Sequence, residues 1–136
     1  MPSASIAFPL EETQTAFGRL SIPRIPVAVR TIFGYQAYTF LLDTGADFTM
    51  LPRYMADDLG ISLSQCRQIP SFGIEGSALT TYVSAIHVKL AAWDFDLTCL
   101  ISAKDVTPFI LGRMGLFDRF SVTFDNRRKQ IVLIRL

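Results

Sequence analysis

Tyr38-Thr39-Phe40-Leu41-Leu42-Asp43-Thr44-Gly45-Ala46-Asp47 decides the reading of this 136-residue chain. Its first half is a largely apolar run of aromatic, β-branched and leucine side chains, the composition of a strand. Its second half is turn chemistry. Glycine tolerates positive φ and aspartate bonds its own backbone two residues on, so Asp43-Thr44-Gly45 could be a plain strand-ending turn. The same geometry also presents a carboxylate on a short loop at the end of a strand. The triplet occurs once, so chemistry that needs two such carboxylates must find the second on another molecule.

The composition fits one folded domain. Half of the residues are hydrophobic and 18% are charged, enough apolar surface for a substantial core and too little charge for a disordered chain. A net charge of +1 argues against nucleic acid or an anionic membrane as a partner held by bulk electrostatics. The basic run Arg127-Arg128-Lys129 follows Asp125-Asn126 between apolar stretches and reads as a solvated hairpin turn. Cys66 and Cys99 lie far apart and His87 is the single histidine, so a zinc site of three or four N/S ligands cannot be assembled. Buried free thiols are expected, with no metal and no other cofactor. No stretch approaches the roughly 18 apolar residues of a membrane span. The expectation is a soluble domain, with a cytoplasmic location favoured over a membrane-anchored parent.

Residues 1–15, with Pro2, Ser3, Ser5, Pro9 and two glutamates, read as a flexible N-terminal arm, and residues 16–136 as the folded domain. Residues 25–33 and 36–42 read as a hairpin turning at Gly34-Tyr35, with Pro23 and Pro26 confining its first strand to an edge or a strand start. Pro52 to Leu59, closed by Gly60, predicts a short helix in the Pro-first, Gly-last order. A second hairpin spans Thr80–Leu90 and Phe95–Ile101, where Phe95, Leu97, Cys99 and Ile101 alternate with polar residues. A second short helix is expected over Arg113–Asp118. Two closing strands, Phe120–Phe124 and Gln130–Leu136, flank the basic turn. The fold class is mainly β with two short helices. No long helices alternate with the strands, which excludes a parallel α/β sheet, and no glycine-rich phosphate loop joins a strand to a helix.

Four features then fall in a suggestive order: the strand entering Asp43-Thr44-Gly45-Ala46-Asp47, the glycine-flanked turn Gly73-Ile74-Glu75-Gly76, the run Phe109-Ile110-Leu111-Gly112, and Arg113. In this arrangement the chain resembles a retropepsin-like aspartic protease, of the retroviral type with one Asp-Thr-Gly-Ala motif per chain. The likeness covers roughly Ile22 to the C-terminus. It implies a retropepsin-like half-barrel, one Asp-Thr-Gly lobe per chain, acting as a homodimer on peptide or protein substrates.

The resemblance also implies roles. Two carboxylates about 3 Å apart share one proton because like charges that close cannot both ionise. One Asp43 would act as general base on a bound water and its symmetry mate as general acid. Thr44 would bond the partner loop across the two-fold axis, and Gly45 would keep the turn tight with its carbonyl free for substrate. Ala46 stands where many cellular relatives carry serine, which implies a mildly acidic optimum. Asp47 and Arg113 would pair to brace the loop and help bind substrate backbone. Phe72, Gly73, Ile74, Glu75 and Gly76 form the candidate flap, with Ile74 as its apolar tip and Glu75 a departure from neutral retroviral flaps. Ile110 would wall a subsite, while Phe109 and Leu111 read as core. His87 in an alternating strand reads as a structural histidine, and Trp93 at a turn as packing or an interface anchor. Gln130–Ile134 is expected in or near the dimer sheet. The competing reading is a non-catalytic dimerisation or peptide-binding module of the same fold.

Overall fold

Apolar side chains at alternate positions dictate most of the architecture, which this computed structural model describes for residues 4–73 and 76–136. Three short strands come first: β1 (Ser5–Pro9), β2 (Glu11–Thr15) and β3 (Gly18–Ile22). The stretch expected as a loose arm is therefore strand from Ser5 onward. The reason is apolar: Phe8 and Leu10 enter the core, and Pro9, Glu11 and Glu12 around them hide the pattern. β2 and β3 form a hairpin that pairs with no other strand among the described residues.

β4 (Arg24–Thr31) and β5 (Gly34–Leu42) form the first long hairpin. It turns at Ile32-Phe33 rather than Gly34-Tyr35, because the Thr31 hydroxyl accepts the Phe33 N–H and donates to the Gly34 carbonyl. Ile25, Val27 and Val29 point inward. Then follow β6 (Thr49–Leu51), α1 (Met55–Leu59), a 3-10 turn at Leu63–Gln65, β7 (Gln68–Phe72), β8 (Ala78–Leu90) and β9 (Trp93–Ser102). The C-terminal part holds β10 (Ile110–Leu111), β11 (Phe120–Asp125) and β12 (Gln130–Arg135). In β9 the expected alternation holds from Phe95 to Cys99, and beyond it Leu100, Ile101 and Ser102 are all buried.

Of the two expected helices, one is present. α1 starts at Met55, with Pro52 in the turn before it, and Gly60 caps its end. Residues 113–118 instead form consecutive turns. Leu116 and Phe117 N–H groups both reach the Arg113 carbonyl, but Gly115 has φ +83°, which a right-handed helix does not admit.

Seven strands form one curved sheet in the order β4-β5-β10-β6-β9-β8-β7, and a further β4–β8 pairing closes it into a barrel. Pro26 lies on β4 outside the β8 pairing at Ala28–Val29, so its missing N–H costs no second ladder. The arrangement that positions the site is at β10. It runs parallel to β5 (Ile110↔Leu41, Leu111↔Leu42) and antiparallel to β6 (Ile110↔Met50). The segment between β5 and β6, residues 43–48, must therefore arch over the end of β10.

β1, β12 and β11 make a separate three-stranded sheet. β12 is its middle strand, and Ile131 and Leu133 are fully buried. Both backbone edges of Gln130–Ile134 are filled by strands of the same chain. Gln130–Ile134, expected in or near a dimer sheet, is thus the central strand of this sheet, whose outer strands are β1 and β11.

Candidate active site

The arch from Asp43 to Phe48 is pinned to the chain crossing beneath it. Asp43 N–H donates to the Leu111 carbonyl at 3.0 Å, and beyond Gly112 the direction reverses. Arg113 N–H donates to Ala46 O and Met114 N–H to Asp47 O, each at 2.9 Å. Gly112 N–H donates to the Thr49 hydroxyl at 3.2 Å. Close approach explains the glycine: a Cβ on residue 112 would lie 2.3 Å from the Phe48 carbonyl carbon. Within the arch, the Gly45 N–H donates to Asp43 Oδ1 at 2.9 Å, and Ala46 N–H donates to the Asp43 carbonyl. The Asp43 carboxylate is thus oriented by its own turn, half-buried, with Thr44 exposed beside it.

Asp47 and Arg113 are ion-paired, on top of the backbone bonds that already join their segments. Both side chains are at least half exposed, so the pair adds little to stability, about 1 kcal/mol at most. Its consequence is geometric, because it ties the far end of the arch to the residue after Gly112.

Two cavities flank the loop, and they share no lining residue. One, of about 410 Å³, runs between Gly45–Phe48 and β7, with Met50, Ile69, Phe72 and Leu100 in its walls. This groove beside the carboxylate loop mixes those apolar walls with polar ones, among them Asp47 and Ser71. The larger, about 680 Å³, is lined by Asp43 and Thr44 together with Leu20, Ser21, Phe124 and Lys129. It opens between the loop and the β2–β3 hairpin.

The expected flap corresponds to the β7–β8 hairpin. Phe72 ends β7 with its ring largely exposed at the groove, and Gly76 N–H donates to Gly73 O at 3.0 Å to close the turn. Ile74 and Glu75, expected at its tip, lie outside the described residues. Ile110 is half-buried in β10 between Leu41 and Met50, outside the walls of either cavity. Leu111 is core, and Phe109 packs against Tyr38, Phe40 and Tyr54.

Away from the loop, His87 Nδ1 pairs with Asp96 Oδ1 across the β8–β9 ladder at 2.6 Å. Trp93 packs edge-on against Phe120. Cys99 is fully buried, and burial pushes its thiol up to about 12. Among the described residues no cluster of His, Cys, Asp or Glu is placed to ligate a metal, and no helix is long and apolar enough to cross a membrane.

Sequence reasoning missed Thr49. It is fully buried and accepts the Gly112 N–H beneath the arch. A threonine inside Phe48-Thr49-Met50-Leu51 was a signal, since a hydroxyl among apolar neighbours needs a partner.

A family model described as "Aspartyl protease" matches residues 13–114. Among solved structures, a retropepsin-like aspartic protease from Rickettsia conorii superposes with a TM-score of 0.67 at 15% identity, covering 99% of this chain and 95% of that one. EIAV protease, complexed with the inhibitor HBY-793, superposes with a TM-score of 0.55 at 24% identity, covering 71% of this chain and 86% of that one. At these identities the two structures establish a shared fold. No curated protein sequence matches the chain.

Proposed function

The chain belongs to the aspartyl protease family and has the retropepsin-like fold, and from that premise we propose that it is a homodimeric endopeptidase with Asp43 as the catalytic residue of each half. The observation that carries the reading is the arch itself: a half-buried carboxylate, oriented by the Gly45 N–H, at the end of an apolar strand and beside an open groove. One chain supplies one such carboxylate. Two copies related by a two-fold axis supply the pair, and their Asp43 loops meet on that axis.

In the proposed reaction a water sits between the two Asp43 carboxylates. The ionised one takes a proton from the water, whose oxygen adds to the peptide carbonyl carbon. The protonated one gives its proton to the carbonyl oxygen. Collapse of the resulting diol breaks the C–N bond, with a proton delivered to the departing nitrogen. The pair titrates as one unit. Phe72, Met50 and Leu100 give the groove apolar wall on which apolar side chains near the scissile bond of an extended peptide can pack. Asp47 and Arg113 hold the arch and offer charged groups to substrate backbone, and the β7–β8 hairpin closes over the bound peptide.

Cleavage of a diverse peptide library from about pH 4 to about pH 7, read by mass spectrometry, tests this. Wild type should cut and Asp43→Asn should not, while both give the same circular dichroism. Cuts that persist in Asp43→Asn would remove Asp43 from the chemistry. A folded, dimeric wild type that cuts nothing but retains peptides would make this a binding module.

A further inference from the structure

A site with one carboxylate per chain is incomplete until a second copy comes against the Asp43 loop. Resting on the dimeric reading above, we propose that the β2–β3 hairpin is an arm that clasps the second copy, with Phe17 and Leu20 as its apolar anchors.

The hairpin has no strand partner beyond itself among the described residues, and a lone two-stranded hairpin is marginal in water. Phe17, at its tip, is completely exposed, and Leu20 is more than half exposed. Its base, by contrast, is tied down on the C-terminal hairpin. Ser21 Oγ donates to Asn126 Oδ1 at 2.8 Å, Lys129 Nζ reaches Glu12 at 2.9 Å, and Leu10 N–H donates to the Lys129 carbonyl at 2.9 Å. A second cation, Arg19, holds Glu12 from within the hairpin. A fixed base and an apolar, uncovered tip make a projection tethered at one end.

Its position says what covers it. Leu20 and Ser21 share the walls of the 680 Å³ cavity with Asp43 and Thr44, and the partly exposed ring of Phe124 adds an apolar wall. A second Asp43 within bonding distance of the same water has to approach Asp43 and Thr44, so the second copy necessarily borders this cavity. Substrate is a poorer occupant, because the groove beside the β7–β8 hairpin has separate walls on the Gly45–Phe48 side of the loop. A two-fold interface is self-complementary, so each arm lies along the partner while receiving the partner's arm in return.

Sedimentation of Asp43→Asn protein tests the arm free of self-cleavage. Combining Phe17→Asp with Leu20→Asp should weaken the dimer by about 100-fold or more, and Phe17→Ala alone by about tenfold. Val106→Asp changes another largely exposed apolar side chain and should leave the dimer intact. Neither arm residue is in the core, so the variants should keep the parent circular dichroism. A dimer of unchanged affinity in both arm variants overturns the proposal, as does a parent that stays monomeric at every concentration. A wild type that cleaves nothing, yet whose dimer is lost with the arm substitutions, supports the arm and sinks only the protease reading.

Discussion

A side chain at position 112 would meet the Phe48 backbone 2.3 Å away, far inside contact distance, and the obstacle is main chain that cannot rotate aside. Gly112→Ala must therefore lift residues 43–48 off β10, at a cost of about 3 kcal/mol or more. Chemical denaturation should show that loss. Thr49→Val is a subtler change at the same crossing. It keeps the shape but leaves the buried Gly112 N–H without an acceptor, a cost of about 1–3 kcal/mol, whereas Thr49→Ser keeps the hydroxyl and should recover part of it. If Thr49→Val is as stable as wild type, the bond at 3.2 Å contributes nothing. Cys99 gives a separate test of burial. With its thiol pushed up to about 12, first by desolvation and then by nearby Cys66, roughly one molecule in 10⁴ is thiolate at pH 8. Iodoacetamide should leave Cys99 unmodified in the native protein and label it once the chain is unfolded.

Among elements, the arch and the arm depend on charge in different ways. Asp47 and Arg113 are exposed, so Arg113→Ala should change stability by no more than about 1 kcal/mol. Yet the pair ties the arch to β10's exit, and in the proposed enzyme its loss should lower kcat/KM by about tenfold or more through a misplaced Asp43. A full loss of stability with no activity change beyond it would reverse that assignment. In the arm, the side-chain bond from Lys129, then that from Arg19, holds the Glu12 carboxyl below its ordinary value. A depressed carboxylate contributes above its unfolded value and ceases to contribute as pH falls through the folded one. The tether should thus survive mild acid and release only below the ordinary glutamate range, read as lost protection of the Thr13 and Leu20 amides relative to the unfolded chain at the same pH. Much of this layout was legible beforehand. β9 announced itself by strict alternation, the C-terminal hairpin by its charged turn, and the arch by Asp43-Thr44-Gly45 with Gly112-Arg113. Three features were not legible, each for a physical reason. β1 hides Phe8 among prolines and glutamates. β10 is two residues long and owes its strand character to β5 and β6 on either side. The turns after Arg113 look helical in composition until Gly115 takes positive φ.

For the whole molecule, the decisive property is that one chain carries half of the proposed chemistry, and mixing chains exposes this without any structural knowledge of the interface. Wild type and Asp43→Asn share every surface that meets a partner except one carboxylate, so they should pair at random. An equimolar mixture then contains about one quarter wild-type homodimer, one half mixed dimer and one quarter mutant homodimer. If both Asp43 carboxylates are needed, one as base and one as acid, only the first species turns over. At fixed wild-type concentration, well above dissociation, adding an equal amount of Asp43→Asn should therefore halve the rate, and a large excess should abolish it. A chain that worked alone would be indifferent to the added mutant at saturating substrate. The arm supplies the control. Asp43→Asn that also carries Phe17→Asp and Leu20→Asp should no longer recruit wild-type chains, and the inhibition should vanish. Inhibition that persists with the arm disabled would place the contact between copies elsewhere on the Asp43 face, while still requiring two carboxylates per active site.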